Sequence, residues 1–303
     1  MEFAEAREIF FQPREDARPV EGSSPARRLR DALEPLAMVS VWSDPATERL
    51  SGAGLDFLAG YVGGRGAALG DPDGAVVAAS FGVFEPGMIA DLWRGARDTA
   101  SVADLRTAVV AAGGEALRDA LGATPTAEVD AAVGTLREGI EAAGGADVVG
   151  RPLFAGLRAQ PWPEDPHGRL WHAAQLLREH RGDAHLGACT AAGLDGLESN
   201  VLTELRAGFA LLEYTATRGW SQEAMDAAVA RLEKRGLVSG GALTGEGRRL
   251  RDGVEEATDR AEQTVVDALG DRLDPLVAVL EGWSDAVIAR GWFPPDPYKR
   301  AAG

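Results

Sequence analysis

Residues 221–250 read SQEAMDAAVARLEKRGLVSGGALTGEGRRL, and their spacing predicts a helix, a tight ribbon and a second helix in that order. Ser221 precedes a stretch in which Met225, Val229 and Leu232 recur at intervals of three and four. That is one apolar stripe of an amphipathic helix, opened by a hydroxyl N-cap. Gly236 supplies the stop. Leu237-Val238 and Ala242-Leu243-Thr244 then flank Ser239-Gly240-Gly241, the pattern of a short hairpin. After Thr244, Leu250, Val254, Ala257, Ala261, Val265 and Ala268 keep helical spacing. A long helix with one buried face follows, and that face meets either another helix of the chain or a second copy in a homodimer.

Outward from this stretch the pattern stays helical. Leu29, Leu33 and Leu36 repeat at helical spacing until Val39–Val41, which reads as extended, and residues 45–69 form a helical stretch broken by glycines. Ser101 with Asp104 opens a helix to about residue 121. Another starts at Thr124-Pro125 and stops at Gly144-Gly145. The Pro-rich segment PWPEDPH (161–167) launches a helix through Trp171 to about Arg181, which Gly182 ends, and further helices follow at about 184–192 and 195–216. Residues 2–11 read as a short docking helix ending in Ile9, Phe10 and Phe11, and PREDARPVEGSSPAR (13–27) reads as a mobile connector. A loose echo, Arg65-Gly66 with Leu69-Gly70 against Arg181-Gly182 with Leu186-Gly187, hints at duplication.

Helix, ribbon and long helix resemble the C-terminal part of a winged-helix domain of the MarR type, above all in RLEKRGLV (231–238), LT (243–244) and GRRL (247–250). More broadly, the chain resembles an actinobacterial helix-turn-helix family over roughly residues 25–290. The likeness lies in LEPL (33–36), GY (60–61), RG (65–66) with ALG (68–70), and especially PWPEDPH (161–167) with LWHAAQLLREHRGDAH (170–185). That family usually carries a histidine after LEPL, where this chain has Ala37. Pattern and resemblance together imply a mainly α fold of tandem winged-helix-like halves with small β-ribbons. The expected division is an N-terminal extension and connector (1–24), an N-terminal helical domain (25–149) and a C-terminal MarR-like domain with long helices (150–303).

Composition narrows the function. Hydrophobic residues make up 45% and charged residues 26% of 303, the balance of an ordinary globular protein. No run approaches the ~18 apolar residues of a membrane span. The start, MEFAEAREIFF, carries three acids and one arginine ahead of any apolar run and does not read as a secretory signal. A cytoplasmic protein is expected. One cysteine, Cys189, excludes an internal disulfide framework and a cysteine-based zinc site. Only Lys234 and Lys299 are lysine among the basic residues, an arginine bias that fits a GC-rich genome.

The net charge is −16, a field that repels nucleic acid unless a local basic patch opposes it. The first turns of the reader helix offer Gln222, Glu223 and Asp226, and the ribbon tip has no basic residue. Arg248, Arg249 and Arg251 read as a solvated face with reach to phosphate. Binding to DNA is expected to be weak at most.

All four histidines, His167, His172, His180 and His185, fall within nineteen residues. On a helix His172 shares a face with Leu176 and Glu179. An imidazole beside a carboxylate is an acid/base set and also a metal-ligand set, but the spacing matches no strict metal motif. The alternative is structural: packed imidazoles, with Arg178, Arg181, Glu179 and Asp183 as ordinary ion pairs. The functional reading assigns His172 and Glu179 as acid and base. It assigns Arg181, His180, Asp183, His185, Trp171 and Trp42 to ligand binding at the junction of the halves, with no cofactor and no metal. The function expected is a winged-helix protein repurposed to bind, or process, a small organic molecule in natural-product metabolism or self-protection. The runner-up is a ligand-responsive MarR-like transcriptional regulator. Gly60-Tyr-Val-Gly-Gly-Arg-Gly66 lacks the spacing of a phosphate loop.

Overall fold

A computed structural model describes residues 2–14 and 24–300. The connector expected at 13–27 therefore lies largely outside the described residues. Before the midpoint run α1 (Phe3–Phe10), α2 (Pro25–Trp42), α3 (Asp44–Gly52), α4 (Phe57–Gly66), α5 (Gly74–Phe81), α6 (Pro86–Thr99), α7 (Val102–Leu121) and α8 (Thr126–Ala143). After it come α9 (Pro152–Arg158), α10 (Pro166–Ala191), α11 (Gly196–Arg206) and α12 (Gln222–Lys234). The ribbon of β1 (Val238–Ser239) and β2 (Ala242–Leu243) precedes α13 (Gly245–Ala261), α14 (Gln263–Leu269), α15 (Leu273–Ala289) and α16 (Pro297–Arg300). The fold is mainly α, as the periodicity predicts.

Caps fall where short polar side chains precede apolar stripes. Ser101, Ser221 and Thr244 each accept the backbone N–H three residues on, satisfying a donor the helix leaves free. The ribbon is antiparallel, with Val238 opposite Leu243 and Ser239 opposite Ala242. Gly240 and Gly241 between them have φ of 57° and 75°, the left-handed region a two-residue hairpin demands. It is the single ribbon among the described residues, so the N-terminal half has helices but no wing there.

Three local expectations are corrected. Val39–Val41 continues α2, because Val39 is fully buried and packing outweighs the modest helical cost of β-branching. Gly182 does not end its helix: α10 runs unbroken for 26 residues. A mid-helix glycine costs about 0.5–1 kcal/mol, and the neighbours Arg181 and Asp183 are each anchored to other helices. The helix expected at 195–216 stops at Arg206, and a 3-10 turn occupies Thr215–Arg218. The buried face of α13 (Arg251, Val254, Glu255, Thr258) meets α10 within the chain, the first of the two alternatives its apolar stripe left open.

The fold is built around α10, which packs against α2, α7, α8, α9 and α13. The main apolar cluster extends from Ala6 to Phe293 and includes Leu36, Leu117, Leu136, Phe154, Leu170, Leu176 and Leu280. Residues on both sides of position 150 share this core, so the boundary expected at 149/150 runs through it rather than along a seam. A second cluster gathers α4, α5 and α6 around Trp93, and a third lies inside α11–α13.

Candidate functional site

A helix that is 26 residues long and packed on every side distributes its polar residues around its circumference, and α10 does so. His172 sits against Trp162, ring centroids 5.1 Å apart, with neither ring nitrogen hydrogen-bonded. Burial pushes its imidazole down to about 4, so it is neutral. His180 packs edge-on against Phe154, and its Nδ1 lies 2.8 Å from Glu262 Oε1 without the alignment of a hydrogen bond. Asp183 Oδ2 accepts the N–H of Phe154 in the first turn of α9, and burial raises its carboxyl to about 7. His167 is buried, which lowers its basicity.

Towards α13, His185 Nδ1 lies 3.1 Å from Thr258 Oγ1 and Nε2 lies 3.6 Å from Cys189 Sγ. The Thr258 hydroxyl already donates to Val254 O, so Nδ1–H donates to Thr258 and the Cys189 thiol donates to Nε2. Burial, then Arg251, brings this imidazole to about 3. Arg181 reaches Glu255 and Asp259, each at 3.1 Å. Glu255 also holds Arg27 and Arg251 at 2.7 Å. Burial alone would raise this carboxyl, and the three guanidiniums hold it far below the usual range. Trp42 packs edge-on against Phe10 and tilted against Phe57, and donates to Arg300 O, between α1 and α16.

The eight residues assigned from sequence therefore do not converge. The His172–Glu179 acid/base pair is absent, since Glu179 is held elsewhere. Arg65 grips its carboxylate through two bonds of 2.8 Å, and Arg178 adds a third of 2.9 Å. Burial would raise Glu179, but Arg65 and Arg178 hold it below the ordinary carboxylate range. Arg178 continues to Glu34 at 3.2 Å, which Arg30 approaches at 3.7 Å. The result is a charge-alternating ladder from α2 across α10 to α4. Among the described residues, no three His, Cys, Asp or Glu side chains gather as a metal site.

Beside this ladder a cleft opens between α2, α4, α7 and α10. Its walls are Met38, Val41, Val109, Leu157 and Trp171, and its polar lining comprises Ser40, Tyr61, Arg65, Gln175, Arg178 and Glu179. Trp171 Nε1 and Gln175 Nε2 both donate to Ala37 O, at 3.1 and 2.8 Å, which fixes the floor. Thus Trp171 and Glu179, of the residues expected, do line one site. Tyr61, Arg65 and Gln175 were not anticipated. For Tyr61 and Arg65 the signal was the glycine-rich segment itself, which is α4, whereas Gln175 lies on α10. A Cβ on Gly63 would lie 2.9 Å from Ala96 Cβ, and one on Gly64 2.9 Å from Val109 Cγ2. Glycine brings α4 close to its neighbours, and the i, i+4 pair Tyr61 and Arg65 then faces α10. About 40 Å³ of the cleft admits the centre of a water molecule, so a few waters fit as it stands.

The α11–α12 surface is different. Arg231 is held by Asp195 at 2.7 Å and Glu198 at 2.9 Å, and Arg235 by Glu198 at 3.0 Å. Gln222, Glu223 and Asp226 are exposed at the start of α12. The arginines read as one solvated face separate: Arg251 is buried on Glu255, Arg249 pairs with Glu246, and Arg248 is exposed. No helix among the described residues is long and apolar enough to cross a membrane.

The sequence model of a helix-turn-helix family matches residues 26–294. Nothing among curated proteins or solved structures matches the chain.

Proposed function

The chain belongs to a helix-turn-helix family, and from that premise we propose that it binds a small organic molecule in the cleft between α2, α4, α7 and α10. The observation that carries this reading is the cleft's lining: apolar walls with Trp171 on one side, and convergent polar side chains from three helices on the other. Such a combination is what ligand sites use, apolar area for affinity and a few fixed polar groups for orientation. The Arg30–Glu34–Arg178–Glu179–Arg65 ladder is internally paired, so it keeps the wall rigid and offers no bare charge. The lining suits an occupant that is flat and mostly apolar, admitted once a wall moves, with one or two hydrogen-bonding groups directed at Ser40, Tyr61 and Gln175. A role in handling natural products, which the actinobacterial resemblance implies, is compatible with such a ligand. The order of α11, α12, ribbon and α13 supports the finer likeness to a MarR-type domain. The acidic start of α12 argues against α12 as a reader of duplex DNA.

The test uses indole, benzoate and benzylamine as neutral, anionic and cationic probes of this shape, titrated into the full chain by calorimetry or ligand-observed NMR. Val109→Phe fills the cleft from α7. The reading expects stoichiometric binding of at least one probe, weakened about tenfold or more (~1.4 kcal/mol) by Val109→Phe. No binding of any probe, or binding indifferent to Val109→Phe, overturns it. A tight, sequence-specific DNA complex at ~150 mM salt would promote the regulator reading instead.

A further inference from the structure

The loop between α5 and α6, Gly82–Glu85, is clamped to the start of α11 and to the segment that leads into α12, the two helices that precede the ribbon. On the α11 side, Gly196 lies so close to Gly82 that a Cβ there would sit 1.9 Å from Gly82 O. On the α12 side, Glu85 N–H donates to Arg218 O at 2.9 Å, and Trp220 Nε1–H donates to Val83 O at 2.9 Å. Arg218 ends the 3-10 turn immediately before α12, and its guanidinium lies between the rings of Phe84 and Tyr214, at 4.7 and 4.4 Å. It is 2% exposed, and its side-chain hydrogen bond goes to the Tyr214 hydroxyl rather than to a carboxylate. A buried cation held by ring faces depends on where those rings stand.

One of these rings, Phe84, reaches the cleft through Tyr61. Tyr61 packs against Phe81 and Phe84, with centroids 5.7 and 6.0 Å away, and lines the cleft on its other side. Behind Tyr61 is a second hollow, bounded by Ser40, Thr47, Leu50, Leu55 and Phe57. The cleft is too small for anything beyond a few waters until a wall moves, and Tyr61 borders both the cleft and this smaller hollow, which has room for about one water. Close-packed rings do not absorb such a shift silently.

We propose that the Gly82–Glu85 loop couples the cleft to the helix-turn-helix: an occupant displaces Tyr61, Phe81 and Phe84 pass the shift to Arg218, and α12 moves relative to α11. This rests on the proposed ligand site for what displaces Tyr61. The path itself is testable without a ligand, so the two can fail separately.

The experiment is hydrogen exchange on the full chain, comparing wild type, Tyr61→Leu, Phe84→Leu and the double variant. Coupling expects Tyr61→Leu to accelerate exchange in residues 83–85 and 222–234 by about tenfold or more while the slowest amides of α2 and α10 are unchanged. It also expects the double variant to add little to Phe84→Leu, because both cut one path. Acceleration confined to 83–85, with α12 at its wild-type rate, overturns the proposal, as do strictly additive effects. Should Tyr61→Leu loosen the whole fold, Arg218→Lys reads the path from its other end. It keeps the charge and loses the planar stack, so residues 81–85 and α12 should accelerate together; independent behaviour overturns the coupling. Probe binding with an unresponsive α12 would spare the cleft reading, and a responsive α12 without probe binding would spare the coupling.

Discussion

Two regions of this molecule hold arginines against carboxylates, and they differ in where the water is. Along α10, Arg65 and Arg178 close on Glu179 with side chains 13%, 9% and 1% exposed. On the α11–α12 surface, Arg231 meets Asp195 with 48% and 53% exposed. The distances are alike and the chemistry is the same. Inside, removing one partner strands a charge that water cannot reach; outside, water takes over at once. Bond length therefore says little about which pair matters, and burial says most.

The strongest way to break this comparison is Glu179→Gln. It leaves two buried guanidiniums facing a neutral amide, and a loss of roughly 3–5 kcal/mol in chemical denaturation is expected. Glu179→Leu combined with Arg65→Met removes charge from both sides and should recover much of that loss. If Glu179→Gln melts like wild type, the interior ladder is no more consequential than the surface pair.

That result bears on how much could be read in advance. The mainly α fold, the ribbon and the caps at Ser101, Ser221 and Thr244 are local patterns, and they are legible. Glu179 as a key side chain was legible too, but its partner was not. His172, seven residues away on the same face, was the apparent mate; the real one, Arg65, comes from α4, 114 residues away. Helical periodicity tells which residues share a face and nothing about which helix meets that face. The four histidines cluster in sequence for the same reason that they scatter in space. A long central helix is packed on all sides, and each imidazole meets a different neighbour.

A second prediction sharpens the interior side through pH. His172 titrates near 4 in the fold, against about 6.5 unfolded. The neutral imidazole is favoured in the folded state, so this contribution is fully present above about 6.5 and is lost as pH falls toward 4. The shift corresponds to roughly 3 kcal/mol. His172→Phe keeps the ring against Trp162 and should flatten the stability–pH curve across that window. An unchanged curve would mean that the imidazole is hydrated in solution.

Asp183 runs the opposite way, through a shift of similar size. Its folded carboxyl titrates at about 7, above the unfolded value near 3.9. The protonated form is favoured in the fold, so its stabilising contribution is present at low pH and lost as pH rises through 7. Asp183→Asn keeps an acceptor for the Phe154 N–H and never ionises. It should gain up to roughly 4 kcal/mol at pH 8 and nothing at pH 4. Equal effects at both pH values would show that the group stays ionised throughout.

The smallest stability effect belongs to the exposed side, where the readout that matters is affinity for DNA. Asp195→Asn with Glu223→Gln and Asp226→Asn removes one of the two acids that hold Arg231, leaving Glu198, and the acids at the start of α12. Each site is exposed, so folding stability should move by no more than about 0.5 kcal/mol. The electrostatic consequence is larger, because three negative charges leave the surface a duplex would approach. Wild type is expected to bind duplex DNA weakly, with little dependence on sequence. The triple variant should bind more tightly at ~50 mM salt and lose most of that gain at ~150 mM, since each phosphate contact contributes about −0.9 to the slope of log K against log salt. Fluorescence anisotropy with two unrelated duplexes separates the outcomes. Equal gains on both mean that the basic side chains of α12, Arg231 and Lys234 among them, meet phosphate and nothing more. A gain on one alone would show that α12 reads bases once its acids are gone, and that the acidic surface holds back a working reader helix.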